Sequence, residues 1–316
     1  MALPATGQLQ TLSFKEESTY GTSAGGNFAL IEHNSNSLAL TINMLEEATL
    51  RGTREVNELI HGTHAVGGDI SCNLSNQTAH ETLIQAALND HTAASSTQFN
   101  VGTERKSYTF AREYTDMGST DDNQLFLGCE INTLGIEVPA DGFVTVTYGI
   151  IGSTMTSHDD SQDGTATAVT AGSVPYRGQD ATIIIENTGG SSSTGQTIVT
   201  SFSLNVENGL ENSYVVGNNK SIQGAIGKAR VTGSFTCHFT TGDFVARFLN
   251  ATDTRIKLIL GSGTSGMSFE LPRCRFTNTA TEVGGEGMIE CAVDFTALQS
   301  SDGATSCILY DSNLGD

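Results

Sequence analysis

Hydrophobic residues recur at every second position along most of this chain, and one alternating stretch occurs twice. In Gly62-Thr63-His64-Ala65-Val66-Gly67-Gly68-Asp69-Ile70-Ser71-Cys72-Asn73-Leu74 the small or apolar places are Val66, Gly68, Ile70, Cys72 and Leu74. In Gly227-Lys228-Ala229-Arg230-Val231-Thr232-Gly233-Ser234-Phe235-Thr236-Cys237-His238-Phe239 they are Val231, Gly233, Phe235, Cys237 and Phe239. A period of two is that of a strand with one buried face. The two stretches align without a gap at an offset of 165, since 231−66 and 239−74 are equal. Upstream, Leu38, Leu40 and Ile42 answer Phe202, Leu204 and Val206 at 164, and downstream Leu83-Ile84 answers Phe248-Leu249 at 165. From Cys129, which answers Cys274, the offset falls to 145, and residues 137–143 match residues 282–288. The pattern predicts a tandem duplication of a mainly β unit. The difference, 165−145, places 20 extra residues in the first copy between about Asn89 and Asn123, expected as an enlarged polar loop.

The predicted order is an extended arm over residues 1–34, a first domain over 35–152, a linker over 153–180, a second domain over 181–298 and a tail over 299–316. Each domain is expected to be a β-sandwich or half-barrel with one short helix and one long loop between strands. Thr78-Ala79-His80-Glu81 reads as a capping box opening the first helix, with Leu83, Ile84, Ala87 and Leu88 on its apolar face. Thr241-Gly242-Asp243 opens the second, ahead of Phe244, Val245, Phe248 and Leu249. Pro139-Ala140-Asp141-Gly142 predicts a hairpin turn. In the tail, Cys307-Ile308-Leu309-Tyr310 is short enough to add one strand to a sheet edge. Between the first two strands of each copy runs a long excursion, over 44–61 and 208–226. Loops of that length in compact domains are functional or unstructured.

Composition narrows the function more than the fold. Among 316 residues, 15 are Lys or Arg and 35 are Asp or Glu, a net charge of −20 that repels nucleic acid phosphates and anionic membranes. The 35 glycines and the absence of Trp suit a turn-rich β protein. Met1-Ala2-Leu3-Pro4 has neither the basic start nor the apolar core of a secretory signal, so none is expected. Four of the six cysteines, Cys72, Cys129, Cys237 and Cys274, fall at matched places in the apolar alternation and are expected as buried free thiols.

No chemistry stands out. Asp159-Asp160-Ser161-Gln162-Asp163-Gly164 begins like a calcium loop, but Thr170 stands where a bidentate Glu is needed. His61, His64 and Cys72 fit no standard zinc spacing. Gly261-Ser262-Gly263-Thr264-Ser265-Gly266 matches neither a nucleophile elbow nor a phosphate loop. No enzyme, cofactor or metal is expected.

The segment Lys15-Glu16-Glu17-Ser18-Thr19-Tyr20-Gly21-Thr22, followed by strand, charged excursion, glycine-rich strand, short helix, strands and hairpin, resembles the tail tube (major tail) proteins of long-tailed bacteriophages. It is similar in particular to their duplicated branch. The resemblance implies two tube domains per subunit and homotrimeric rings of pseudo-sixfold symmetry that stack into a DNA conduit in the virion tail. It also implies tail terminator, tail tip and tape-measure partners and assembly in the host cytoplasm. Under it, the polar strand faces Thr41, Asn43, Asp69, Ser71, Asn73, Asn205, Glu207, Ser234 and Thr236 are candidates for the lumen. Glu46, Glu47, Arg51, Arg54, Glu55, Glu58, Glu211, Asn218 and Lys220 on the excursions are candidates for contact between rings. A ring-forming distal tail or baseplate hub protein of the same fold, or a surface β-sandwich adhesin, are the alternatives.

Overall fold

A computed structural model describes residues 6–91, 98–114, 123–158, 174–187, 198–261, 266–283, 285–300 and 305–311. The first half contains β1 (Gln10–Glu16), β2 (Ala29–Leu30), β3 (Ser35–Asn36), β4 (Ala39–Glu46), β5 (Leu59–Asn73), α1 (Thr78–Leu88), β6 (Gln98–Asn100), β7 (Tyr108–Tyr114), β8 (Asn123–Pro139), β9 (Thr145–Gly152) and β10 (Thr154–His158). The second contains β11 (Ala181–Asn187), β12 (Val199–Glu207), β13 (Arg230–His238), α2 (Asp243–Leu249), β14 (Thr254–Leu260), β15 (Met267–Glu282), β16 (Glu290–Ala297) and β17 (Ile308–Asp311). The protein is mainly β, and among its described residues no helix is long and apolar enough to cross a membrane.

Both halves are wired alike. The antiparallel pairs β4–β5, β5–β9, β8–β9, β7–β8, β1–β7 and β8–β10 recur as β12–β13, β13–β16, β15–β16, β14–β15, β11–β14 and β15–β17. Registers repeat too: Ile70 faces Tyr148, and Phe235 faces Val293, which are their counterparts at 165 and 145. Even the irregularities are copied. A bulge lies between Tyr108 and Phe110 and again between Thr254 and Ile256; another lies between Ile131 and Thr133 and again between Phe276 and Asn278. Bulges bend strands where a sheet must turn, so their repetition means both halves fold around one core shape.

Five expectations need correction. Part of the arm is a strand: β1 pairs along its length with β7 and buries Leu12 and Phe14. Its counterpart is β11, so the repeated unit begins before residue 35. The 20-residue insertion lies between α1 and β7, and it contains β6, whose Phe99 is buried and which pairs with β17. Residues 154–158, expected in the linker, pair with β8 as β10. The capping box does not form, because the helix starts one residue early. Thr78 is its first turn, Gln77 is the N-cap without a side-chain bond, and the Gln77 amide instead donates to Glu32 at 3.2 Å. In α2, Leu249 is exposed where its counterpart Ile84 is buried, since a seven-residue helix covers less of the sheet. The calcium-like segment lies outside the described residues.

The apolar rows fill one core. Val66, Ile70, Cys72, Tyr148, Leu134 and Ile136 of the first half join Phe202, Leu204, Phe235, Val293 and Phe295 of the second in a single cluster. Each such side chain contributes roughly 1.5–3 kcal/mol when removed from water. All six cysteines are buried and unbridged, and burial pushes the Cys72, Cys237 and Cys307 thiols up to about 12.

The arm motif is an anchor. Glu17 is buried, and its carboxylate accepts from Gly21 N–H (2.8 Å), Ser107 Oγ (2.7 Å), Thr109 Oγ1 (2.9 Å) and Gly128 N–H (2.8 Å). Four donors offset the cost of burying the charge. Gly128 is where β8 leaves the β7–β10 sheet for the β9 sheet. Its φ of 65° is left-handed, and a Cβ there would come within 2.8 Å of Ser153 Cβ and 3.0 Å of Tyr20 Cζ.

Candidate functional site

The strand β8 joins the halves. One edge of its Ile131–Pro139 segment pairs with β9, and the other pairs with β12 from Ser201 opposite Pro139 to Glu207 opposite Thr133. The result is one eight-stranded sheet in the order β4, β5, β9, β8, β12, β13, β16, β15. Residues directly opposite share a face. Starting from Asp69, the rows run through Gly149 and Thr133 to Glu207 and Arg230; from Ser71 they run through Thr147, Gly135, Asn205, Thr232 and Thr296. A third runs from Asn73 through Thr145, Glu137, Ser203 and Ser234 to Asp294 and Asn278.

This face is built from small hydroxyl, amide, glycine and carboxylate groups, while the opposite face is apolar and covered by α1 and α2. His80 of α1 meets the Tyr148 hydroxyl at 3.1 Å, and Phe244 of α2 packs edge-on against Phe235 and Phe276 at 5.4 and 6.2 Å. Its carboxylates include Asp69, Glu137, Glu207, Glu290 and Asp294, against the guanidiniums of Arg230 and of Arg275, which lies opposite Thr296. The Asn34 amide donates to Asn73 Oδ1 at 2.8 Å and the Ser203 and Ser234 hydroxyls meet at 2.8 Å, so neighbouring polar groups hold one another in place.

The lining candidates lie on four strands of this sheet: Thr41 and Asn43 on β4, Asp69, Ser71 and Asn73 on β5, Asn205 and Glu207 on β12, and Ser234 and Thr236 on β13. The rows above bring six of them together, Thr236 lies in the next row between Ser201 and Ala292, and Thr41 and Asn43 follow on the outermost strand, with Asn43 at the bulge between Ile42 and Met44. Sequence reasoning missed Thr145, Thr147, Thr133, Glu137 and Asp294. Their alternation was visible, but nothing local says that β9 and β16 lie beside β5 and β13.

The two excursions differ. Residues 44–61 extend β4 and β5 as a two-stranded ribbon, Met44 opposite His61 and Glu46 opposite Leu59, and every residue from 43 to 61 is exposed. Near its tip, Glu47 accepts from Thr49, Arg51 and Asn57, and the Arg51 guanidinium holds its carboxyl below the usual range. Arg54, Glu55 and Glu58 are also on this ribbon.

Residues 208–226 are instead laid across the first half of the same chain. Asn208 Nδ2 donates to Ala87 O (2.8 Å) and Ile131 O (3.1 Å), and Leu210 N–H donates to Asn132 Oδ1 (2.8 Å). Ser153 Oγ donates to Ser221 O (2.6 Å), Arg105 to Gly224 O (2.5 Å), and Gln223 Nε2 to Glu130 Oε1 (2.8 Å). Burial and the nearby Glu130 push the Tyr20 hydroxyl, beside Ser221, up to about 12. His64 N–H donates to Asn219 O at 2.8 Å, so His64 belongs to this seam, while Cys72 lies in the core. Glu211, Asn218 and Lys220 stay exposed along the docked loop.

The sheet ends in two edges. Among the described strands β4 pairs with β5 alone, and the Phe276–Glu282 part of β15 pairs with β16 alone. The matching part of β8 is covered on both sides. Val283 is accordingly 71% exposed where its counterpart Val138 is 5% exposed. Unpaired edges flanked by apolar surface recruit another strand.

A family described as phage tail tube protein matches residues 7–297. Among curated proteins nothing matches. Among solved structures, one similar to this chain is a hybrid structure of the SPP1 tail tube by solid-state NMR and cryo-electron microscopy. It shares 12% identity over 44% of this chain and 80% of that one, with a TM-score of 0.34.

Proposed function

Starting from the fact that this chain belongs to the phage tail tube protein family, and so is a structural component of the virion tail that self-assembles into a tube, we propose that three copies close each ring with the polar sheet face around its pore. One observation carries the reading: two homologous halves already form one eight-stranded sheet, polar on one face and open at both ends. Edge pairing of three such sheets removes every open edge at once. Two half-units in each of three chains make six, which is the pseudo-sixfold ring.

The carboxylates and hydroxyls of the face then line the conduit, and DNA phosphates passing through meet repulsion rather than binding sites. The ribbon tip around Glu47, Arg51, Arg54 and Glu55 projects beyond the sheet and is the part that reaches the adjacent ring, together with Glu211, Asn218 and Lys220. Stacking of this kind is heterologous and does not close, so it makes a tube. Tail terminator, tail tip and tape-measure proteins are the partners at the tube's ends and inside it, and assembly takes place in the host cytoplasm. The role asks for no catalytic group.

Negative-stain electron microscopy of the purified protein across a concentration series tests this, with a tail tip complex added as initiator. Hollow tubes or stacks of rings with central pores are expected. Single rings that never stack would make the protein a distal tail or hub component instead, and monomers that persist beside the initiator would overturn the tube.

A further inference from the structure

Inside one chain, the second half docks on the first through β12 on β8 and through the loop 208–226 over Glu130. The same surfaces recur, uncovered, at the other two edges, so the internal junction is a template for the external one. We propose that the junction between chains copies this register, with β4 of one copy on β15 of the next, but closes with an inverted charge: Glu58 of the ribbon against Arg275. The proposal rests on the ring reading above and names the contact that closes the ring.

The register follows from structural equivalence. Leu40 faces Val66 and Val206 faces Val231, so β12 follows β4 at 206−40, an offset of 166, two more than hydrophobic matching implies. The same 166 relates Ser37 to Ser203, whose carbonyls lie where a Cβ on Gly68 or Gly233 would be, at 2.5 and 2.3 Å. Between β8 and β15 the offset is 145. Carrying Glu207 opposite Thr133 and Asn205 opposite Gly135 through these offsets places Thr41 opposite Asn278 and Ala39 opposite Ala280. Both pairs fall on the polar face, as the lumen requires.

Charge complementarity at the seam points the same way. In the first half Glu130 is 5% exposed, held by Arg105 through two nitrogens and capped by Gln223 from the docked loop. Its counterpart at 145 is Arg275, whose side chain is 46% exposed and which shares Asp253 with Arg273. The ion pair is reversed in sign: Glu130 is paired with Arg105, which precedes β7, and Arg275 with Asp253, which precedes β14. Two guanidiniums on one carboxylate leave a net positive charge at the uncovered corner. The counterpart of Gln223 at 165 is Glu58, on the stem of a ribbon whose Glu46, Glu47, Glu55 and Glu58 outnumber its Arg51 and Arg54. An acidic segment therefore arrives where the neutral amide does in the internal junction, and it meets a cationic corner in place of an acidic one. Against Glu130 the same segment would be repelled, which discourages a ribbon from docking on the wrong half.

Two experiments test the pairing, both with wild-type rings as the reference. In the first, rings are counted by electron microscopy for Glu58→Arg, Arg275→Glu and the double exchange. Each single variant should lower ring yield at least about tenfold, and the double exchange should return it to within about twofold of wild type. In the second, cysteine pairs are oxidised in assembled protein and resolved on a denaturing gel. Ala39→Cys with Ala280→Cys should give dimer and trimer bands, because opposed residues lie within disulfide reach, while Thr41→Cys with Ala280→Cys should not. The gel readout covers the case in which Arg275→Glu fails to fold for want of its Asp253 contact. Wild-type assembly by Glu58→Arg alone, or cross-linking only in the offset pair, would overturn this pairing and leave the tube standing. Wild-type protein that never closes a ring would overturn the tube reading and this pairing with it.

Discussion

Gly68 and Gly233 occupy apolar places in the duplicated strand, yet neither contributes apolar surface. Their side of the sheet is already filled: the Ser37 and Ser203 carbonyls would lie 2.5 and 2.3 Å from an added Cβ, the Phe295 ring would lie 2.5 Å from that on Gly233, and Gly68 also has a φ of 142°. Neither strand can retreat, because each is locked by its ladder. Gly68→Ala and Gly233→Ala should each lower stability by about 2 kcal/mol or more, read as a drop in melting temperature. Gly67→Ala is the control, since its Cβ would meet nothing nearer than 3.8 Å and should cost well under about 1 kcal/mol. Glu17 makes the complementary point. In the sequence it was part of a recognisable opening segment, and in the fold it satisfies four donors where the arm, β7 and β8 meet. The alternation announced that the two glycine positions were inside but not what they touched, and it gave no sign that Glu17 was buried.

Helix α1 is held to its sheet partly by a titratable contact. Burial lowers the His80 pKa to about 4, against a hydrogen bond to the Asn73 backbone that works the other way, and the ring meets the Tyr148 hydroxyl of β9. An unfolded histidine binds its proton near pH 6.5, so between about pH 6.5 and 4 the unfolded chain holds more protons than the native one. Stability from this group is therefore complete above about pH 6.5, falls as pH drops through that window, and levels off below about 4. The loss is at most about 3 kcal/mol. Melting temperature against pH should show a slope there that His80→Gln flattens, and an unchanged slope would mean that other groups govern acid stability. The neighbouring elements show how similar sequence signals diverge. The two excursions occupy equivalent places, but 208–226 finds a surface within its own chain and 44–61 does not, so one is a docked loop and the other an exposed ribbon.

At the scale of the molecule, the duplication turns two half-sheets into one and leaves it with two edges that have no further partner among the described strands. The polar face spans both halves, and its carboxylates carry the prediction for DNA passage. Replacing Asp69, Glu207 and Asp294 by Lys should leave rings and tubes intact while slowing or blocking DNA ejection from assembled virions, because a cationic wall binds phosphates that an anionic wall repels. Normal ejection with all three in place would remove this face from the lumen. Each of these side chains is on the face away from the core, so the substitutions test transport rather than folding.

From the sequence alone came the mainly β class, the tandem repeat, both helices, the long excursions, buried cysteines and the candidate strand faces. These are local or periodic properties, set by which side of a strand meets water, and a period of two survives in the sequence whatever the strand pairs with. The true offset of β12 from β4 is 166 and not 164, an error of two that left every residue on its proper face and so could not be detected from hydrophobicity. Only the tertiary structure decided that residues 10–16 and 154–158 are strands of the folded unit, that β9 and β16 bring Thr147 and Asp294 into the polar face, and that Glu130 and Arg275 occupy equivalent corners with opposite charge. Those facts depend on which strands lie side by side although 27 residues (Leu127 and Thr154) to 104 residues (Gln10 and Tyr114) apart in the chain, and backbone hydrogen bonds, being the same for every residue, leave no mark of their partner in the sequence.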